Sequence, residues 1–370
     1  MRRLRQTQGA FQEILRCLPA QSQSVRNTPS QGNNGKVNVE VVAVTELYSG
    51  KRVAVLGGNG MLGSYVVDLL AASGAIVTVV DLAECPYRET PKDAVEAILD
   101  CSVPHSWRHE EFDIVINCAA KVTGITYNER HHADMALANA GLATAPLQAC
   151  IEAKVSRYVY VSTACVYPAD ADVPTEEFWG WRGWPEPTNY GYGLAKRFGE
   201  QLCMVAKDEH PWFNPLVLRP SNLYSQREHF DDENAHVIPR TIRRVLSGEN
   251  PIVMRGTGMA MRSFLHARDA AYGLLLAAAT NYSGILNLPA GANHECSIAA
   301  LVKHICAAAK LFPIVQFSNE GADGYQRRLS SRTLLQQTLA ADGLAWQPET
   351  SLADGLKETV EACKRWMNEH

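Results

Sequence analysis

Gly57, Gly60 and Gly63 come directly after the apolar run Val53-Ala54-Val55-Leu56 and open an amphipathic stretch over residues 61–73. A buried strand that turns straight into a helix there needs residues without a Cβ, so that backbone amides at the positive helix end can approach a pyrophosphate. The spacing Gly-x-x-Gly-x-x-Gly is a variant of the dinucleotide fingerprint, and a glycine triplet alone also describes a plain strand-to-helix turn. The residues downstream decide between the two. A second apolar run, residues 76–80, ends at Asp81, where a carboxylate can accept hydrogen bonds from an adenosine ribose. Met61 and Leu62, between the second and third glycines, complete the expected cofactor contact. A carboxylate at position 81 repels a 2′-phosphate that an arginine would welcome, so the expected cofactor is NAD rather than NADP.

Composition narrows the remaining classes. With 46% hydrophobic and 20% charged residues over 370 positions, the chain can bury a large core or two lobes. A net charge of −4 and a pI near 6.3 leave no basic footprint for nucleic acid. The ten cysteines form no Cys-x-x-Cys pair, so neither a metal site nor a disulfide framework is indicated, and a reducing, cytoplasmic setting is expected. The longest apolar stretch, residues 270–280, is too short to cross a bilayer. The first 36 residues carry Arg2, Arg3, Arg5, Arg16, Arg26 and Lys36 against one acid, Glu13. Residues 1–48 therefore read as a basic, disordered extension, with an organelle presequence as the alternative for its first 36 residues.

From Lys51 onward, strand-like and helix-like segments alternate. Strands are expected at 53–56, 76–80, 114–117, 158–162 and 216–218, and helices at 61–73, around 134–153 and at 190–207. This is the pattern of an α/β fold: a Rossmann-type doubly wound parallel sheet with a smaller C-terminal substrate-binding lobe. The dinucleotide-binding part is expected over residues 49–220, with 263–288 returning to it, and residues 221–370 otherwise form the smaller lobe. A final amphipathic helix, 352–368, should pack rather than catalyse.

Tyr192 and Lys196 stand four apart on a predicted helix, which places phenol and ammonium on one face. A lysine there lowers a tyrosine's pKa and suits it for proton transfer. Upstream, the run 158–168 (YVYVSTACVYP) ends a strand in hydroxyls, with Thr163 and Cys165 on the same side if the strand stays extended.

Together these residues resemble the extended short-chain dehydrogenase/reductase family of nucleotide-sugar enzymes, nearest to its GDP-fucose synthase and GDP-mannose 3,5-epimerase groups. The resemblance runs from Lys51 to about Ala278. It is carried by 119–124 (AAKVTG), 163–168 (TACVYP), 220–224 (PSNLY), 236–239 (HVIP) and 261–266 (MRSFLH). It implies that Tyr192 is the acid/base toward a sugar hydroxyl, that Lys196 tunes it and holds the nicotinamide ribose, and that Thr163 bonds the reacting hydroxyl. Ala119 and Ala120 fall at the cofactor. Cys165 and His236 match the pair that exchanges protons beside a 4-keto group, while Asn222, Arg244 and Arg262 match sugar or diphosphate contacts. Lys121 either contacts substrate or caps a loop.

The implied activity is an NAD-dependent nucleotide-sugar epimerase, on a GDP- or other NDP-hexose, acting as a homodimer. The alternatives are an NADPH-consuming epimerase–reductase, a simple 4-epimerase, or a non-catalytic dinucleotide sensor. Sugar 4,6-dehydratases of the family carry Asp-Glu where Ala164 and Cys165 stand here, which counts against dehydration. Each assignment has a plainer counterpart: Cys165 as a small buried residue, His236 as a satisfied turn residue, Arg244 and Arg262 as surface charges. Trp179, Trp181 and Trp184 are expected in a packed loop near the site's mouth.

Overall fold

A computed structural model describes residues 39–106, 112–230, 235–318 and 326–370. Val53, Ala54, Val55 and Leu56 have no solvent exposure, because their strand is flanked on both edges and covered on both faces. That strand, β1 (Arg52–Leu56), is succeeded by β2 (Ile76–Asp81), β3 (Val95–Ile98), β4 (Ile114–Asn117), β5 (Arg157–Val161) and β6 (Asn214–Pro220). The chain then leaves the sheet for β7 (Asn222–Tyr224), β8 (Ile252–Met254) and β9 (Met261–His266) and returns with β10 (Gly284–Leu288). The parallel sheet has the order β3-β2-β1-β4-β5-β6-β10, with the strand order reversing between β1 and β4. Such a reversal opens a crevice at the carboxyl ends of the strands, where doubly wound sheets bind ligands.

Helices α1 (Val39–Tyr48), α2 (Met61–Ala72), α3 (Ile125–Arg130), α4 (His132–Glu152) and α5 (Tyr190–Glu209) lie before β6 in the chain. After it come α6 (Val237–Leu246), α7 (Ala267–Ala279), α8 (Ile298–Ala309), α9 (Thr333–Ala341) and α10 (Leu352–Glu369). On one face of the sheet Tyr48, Val66, Leu70, Leu274, Leu335 and Leu339 share a core, so α1, α2, α7 and α9 all pack there. The opposite face is covered by α4 and α5 through Leu147, Cys150 and Cys203. A separate core holds Ile242, Ile305 and Val360 from α6, α8 and α10. Beside it β9 pairs with β7, with β11 (Glu295–Ser297) and with β13 (Arg327–Arg328), and β8 pairs with β12 (Val315–Phe317). No described helix is long and apolar enough to cross a membrane, and the nine described cysteines are unpaired.

Several expectations need correction. The sequence predicts a disordered extension as far as residue 48, but residues 39–48 form α1, and Val44 and Tyr48 are fully buried; residues 1–38 lie outside the described part. The apolar content of VEVVAVTELY outweighs the basic character of what precedes it. Strand β3 escapes prediction because VEAI is short, edge-placed and half exposed. Although the C-terminal third reads mainly as one lobe, Leu335, Leu339 and Trp346 return to the core of the first. The loop bearing the tryptophans is less packed than expected, with Trp184 68% exposed.

Tyr48 donates from its hydroxyl to Leu275 O at 2.7 Å, tying α1 to α7. We expect Tyr48→Ala to destabilise the protein by about 3–5 kcal/mol, as truncation of a buried aromatic does. Urea unfolding checks this, and a loss below ~1 kcal/mol would mean that α1 is not part of the folded core.

Candidate active site

At the end of β1, Gly57 has φ +69, and a Cβ there would lie 2.7 Å from Ala119 Cα. Gly63 is tighter still, since its Cβ would fall 2.0 Å from Gly57 O. Both glycines are thus demanded by the turn itself. Gly60 differs: its nearest neighbour would be Gly57 O at 3.4 Å, so the space beside it is open. Gly60 is the N-cap of α2 and supplies no side-chain cap, leaving the amides around Met61 and Leu62 for a ligand. Asp81 ends β2, where Oδ2 accepts from Asn59 N at 2.8 Å and Oδ1 from Leu82 N at 2.7 Å. Asn59, whose side chain donates to Ala83 O and Glu96, was not singled out from sequence, yet it fixes the turn against β2 and β3. Ala119 N donates to Asn117 Oδ1, which sets the end of β4 against Gly57, with Ala120 next along the chain. A crowded turn with one open position, free helix amides and a carboxylate on the next strand fit a dinucleotide.

The chemistry-bearing residues gather at the end of β5. The strand stops at Val161, and Thr163 caps a short 3₁₀ turn, Ala164–Val166, by accepting from Cys165 N at 3.1 Å. The expected extended strand is therefore absent at Thr163–Cys165, because the threonine hydroxyl turns the backbone instead. Even so, Thr163 and Cys165 are half-buried between the buried Ala164 and Val166. The first turn of α5 presses against them, since a Cβ on Gly193 would lie 2.5 Å from Cys165 O. That contact brings the Tyr192 phenol close to the Thr163 hydroxyl and near the Cys165 sulfur.

Burial raises the Tyr192 pKa above that of an ordinary phenol, Cys165 adds to the rise, and the Thr163 hydrogen bond opposes it. The expectation that Lys196 lowers it is not met in this arrangement. Lys196 is 2% exposed and donates from Nζ to Val161 O at 3.0 Å, with Tyr160 beneath it. Burial pushes its pKa down to about 8, against the influence of Cys118 and Glu200. Lysine and tyrosine share a helix face, but the ammonium is drawn toward the strand carbonyl.

The remaining candidates are more dispersed. His236 is the N-cap of α6, where burial and nearby His229 both lower its pKa. Asn222 of β7 donates to Ser263 O at 3.0 Å, and Arg262 of β9 donates to Met261 O. Arg244 is engaged by Glu249 through Nε at 2.7 Å and Nη2 at 2.5 Å, which accounts for its position without a ligand. Lys121 meets Asp134 at 2.5 Å, and that hydrogen bond raises the lysine's pKa. Sequence reasoning missed Arg328, whose Nη1 donates to Cys165 Sγ at 3.3 Å. It also missed the buried pair of Glu200 and Arg219 behind the site. Glu200 could have been noticed as the next charge at helical spacing after Tyr192 and Lys196; nothing in the sequence around Arg328 points to Cys165.

Sheet order, glycine turn and the Thr163–Tyr192 cluster define a dinucleotide-binding α/β protein of the Rossmann type with reactive groups at the carboxyl ends of its strands. Comparison with known proteins is more specific: the chain belongs to the NAD dependent epimerase/dehydratase family, which it matches over residues 53–288. A GDP-L-fucose synthase of Sinorhizobium fredii is 29% identical, over 85% of this chain and 96% of its own. GDP-L-fucose synthase 1 of Arabidopsis thaliana is 28% identical, over 84% and 92% respectively. The solved UDP-glucose 4-epimerase of Thermotoga maritima, bound to UDP-glucose, superposes with a TM-score of 0.73 at 24% identity, over 85% of this chain and 99% of its own. That likeness speaks to the fold.

The Lys196 value sets a pH limit. Above about 8 the ammonium is lost, so turnover should fall as pH rises through that value. Lys196→Arg, which cannot deprotonate in this range, should remove that limb. Stability runs the other way: the folded value lies below the ordinary lysine value of 10.5, so the unfolded chain binds more protons between about 8 and 10.5. Lys196's contribution to stability should therefore grow with pH across that window. A pH–rate profile with no limb near 8, in an enzyme whose Lys196→Arg variant behaves identically, would remove Lys196 from the machinery.

Proposed function

We propose that this chain is an NAD-dependent nucleotide-sugar epimerase that works through a transient 4-keto sugar, on a GDP-hexose or another NDP-hexose. One observation carries the reading: the Tyr192 phenol stands close to Thr163 and Cys165, at the end of a dinucleotide-type sheet. The family match supports it, and the GDP-L-fucose synthases among the relatives favour a GDP-sugar.

The turn over residues 57–63, Asp81, Ala119, Ala120, Tyr192 and Lys196 would hold the cofactor. A nicotinamide dinucleotide held there would supply the acceptor for the C4 hydride and return that hydride once epimerisation is complete. Thr163 orients the sugar's 4-hydroxyl, and Tyr192 takes its proton as the C4 hydride leaves. Once C4 is a ketone, the protons on C3 and C5 become acidic. Cys165 and His236 then exchange protons at those carbons, and burial with nearby His229 lowers the His236 pKa, which makes its protonated form a ready proton donor. Lys121, Asn222 and Arg262 are assigned to the sugar and diphosphate. Arg244, already engaged by Glu249, is left out of this assignment.

Solvent-deuterium wash-in with GDP-mannose tests the assignment. Tyr192→Phe should abolish oxidation and wash-in together, with turnover falling at least about 10²-fold. Cys165→Ser should retain C4 oxidation but slow wash-in at C3 or C5. Equal wash-in in wild type and Cys165→Ser would remove the cysteine from the reaction.

The GDP-L-fucose synthase relatives also favour a second reading, an epimerase–reductase that consumes NADPH. Asp81, whose carboxylate is held by Asn59 N and Leu82 N, argues for NAD because two backbone amides fix a negative charge where a 2′-phosphate would sit. NADH should therefore bind more tightly than NADPH, and Asp81→Asn should narrow the gap. Tighter NADPH binding by the wild-type protein would move the reductase to first place.

A further inference from the structure

Arg328 ends the short strand β13, which lies parallel to β9 with Arg327 opposite Met261 and Arg328 opposite Arg262. The chain just beyond it is held from the other lobe. Thr175 N donates to Leu329 O at 2.8 Å, and Ser331 N donates to Thr175 O at 2.8 Å. Arg328 is thus fixed between β9 and the loop that comes after the Ala164–Val166 turn, and it is only 9% exposed. From there its Nη1 donates to Cys165 Sγ at 3.3 Å. The Arg328 guanidinium from β13 lies against the thiol, and the Tyr192 phenol from α5 is near it. Arg262, across the strand pair, directs Nη1 to Met261 O.

We propose that Arg328 is a positioning residue for Cys165: its guanidinium, delivered by β13, holds the sulfur where the cysteine can exchange a proton beside the ketone. A guanidinium is permanently charged, and a hydrogen bond from it to sulfur is stronger when the sulfur is anionic. The inference rests on the epimerase reading. In the step concerned, the thiolate takes a proton from the carbon beside the ketone. An S–H bond forms, the C–H electron pair passes into the enolate, and protonated His236 delivers a proton to the opposite face. Exchange with water restores both groups, so no further reactant is needed.

The test is alkylation of Cys165 by iodoacetamide across a range of pH, read at its own peptide by mass spectrometry, in wild type, Arg328→Met and Arg328→Lys. We expect alkylation near pH 7 to be about tenfold slower in Arg328→Met. Arg328→Lys, which keeps a charge, should recover part of the loss. Arg328→Gln carries the same expectation as Arg328→Met and replaces it if that variant does not fold. Superimposable profiles in wild type and the neutral variants, with only the KM for GDP-mannose raised, would overturn the proposal and make Arg328 a substrate contact. Failure of the parent reading shows separately: full wash-in by Cys165→Ala would end the catalytic role of the cysteine, while alkylation of the wild-type thiol would still report on its pairing with Arg328.

Discussion

The site depends on a charged pair that no solvent reaches. Glu200 and Arg219 both have fully buried side chains, with Arg219 Nη2 2.6 Å from Glu200 Oε2 and Nε 2.8 Å from Oε1. Burial alone would lower the Arg219 pKa, but Glu200 beside it more than offsets that and holds the guanidinium above its ordinary value. The pair also has enough partners to satisfy it. Ser162 Oγ donates to Glu200, while Arg219 Nη1 donates to Tyr167 OH at 3.1 Å and to Glu177 O at 2.7 Å. Tyr167 in turn donates to Asn287 Oδ1 at 2.5 Å. A buried ion pair of this kind adds little net stability over a well-packed apolar substitute, whereas losing one partner is costly. Its value is geometric. It ties the end of β5, the turn carrying Cys165, helix α5, β6 and β10 to a single register.

That register explains why Tyr192 and Thr163 meet although the strand between Tyr158 and Val161 has already ended. Ser162 is held from behind by Glu200, and Thr163 caps the turn in front. Helix α5 supplies Glu200 two turns after Tyr192, so the same helix that presents the phenol anchors the strand end it faces. Burial then acts on both members of the tyrosine–lysine pair in the same sense, favouring the neutral phenol and the neutral amine. Positive charge brought close to the phenol would work against the first effect, so on the proposed mechanism proton transfer by Tyr192 would be coupled to occupancy of the cofactor site.

Much of this was legible in the sequence where the constraint is local. The glycine turn, the alternation of strands and helices and the four-residue spacing of Tyr192 and Lys196 all derive from backbone periodicity. Reading failed where the deciding contact is distant. Thr163 and Cys165 looked like alternate residues of a strand, but pairing in β5 ends at Val161, and a side-chain hydrogen bond turned the chain. The tuning of Tyr192 by Lys196 was inferred from helical spacing, which cannot show that Val161 O competes for the ammonium. Arg219 sits in a run of apolar residues and Arg328 in a short polar segment. Nothing local tells a buried, paired arginine from an exposed one.

The placement of Arg328 suggests a division of labour between the two parts of the molecule. Thr163, Tyr192 and Lys196 all belong to the sheet and its helices, so the groups we assign to C4 sit on the scaffold that the Glu200–Arg219 pair registers. Cys165 shares that scaffold, but its guanidinium partner is delivered by β13, whose strand pairing is to β9 and whose flanking residues bridge back to Thr175. A shift of the smaller lobe would leave Tyr192 beside Thr163 while drawing Arg328 off the sulfur. On the proposed mechanism, oxidation at C4 and proton exchange at its neighbours would therefore respond to different structural variables. The bridge between Thr175 and Ser330, remote from any reacting atom, belongs to the second.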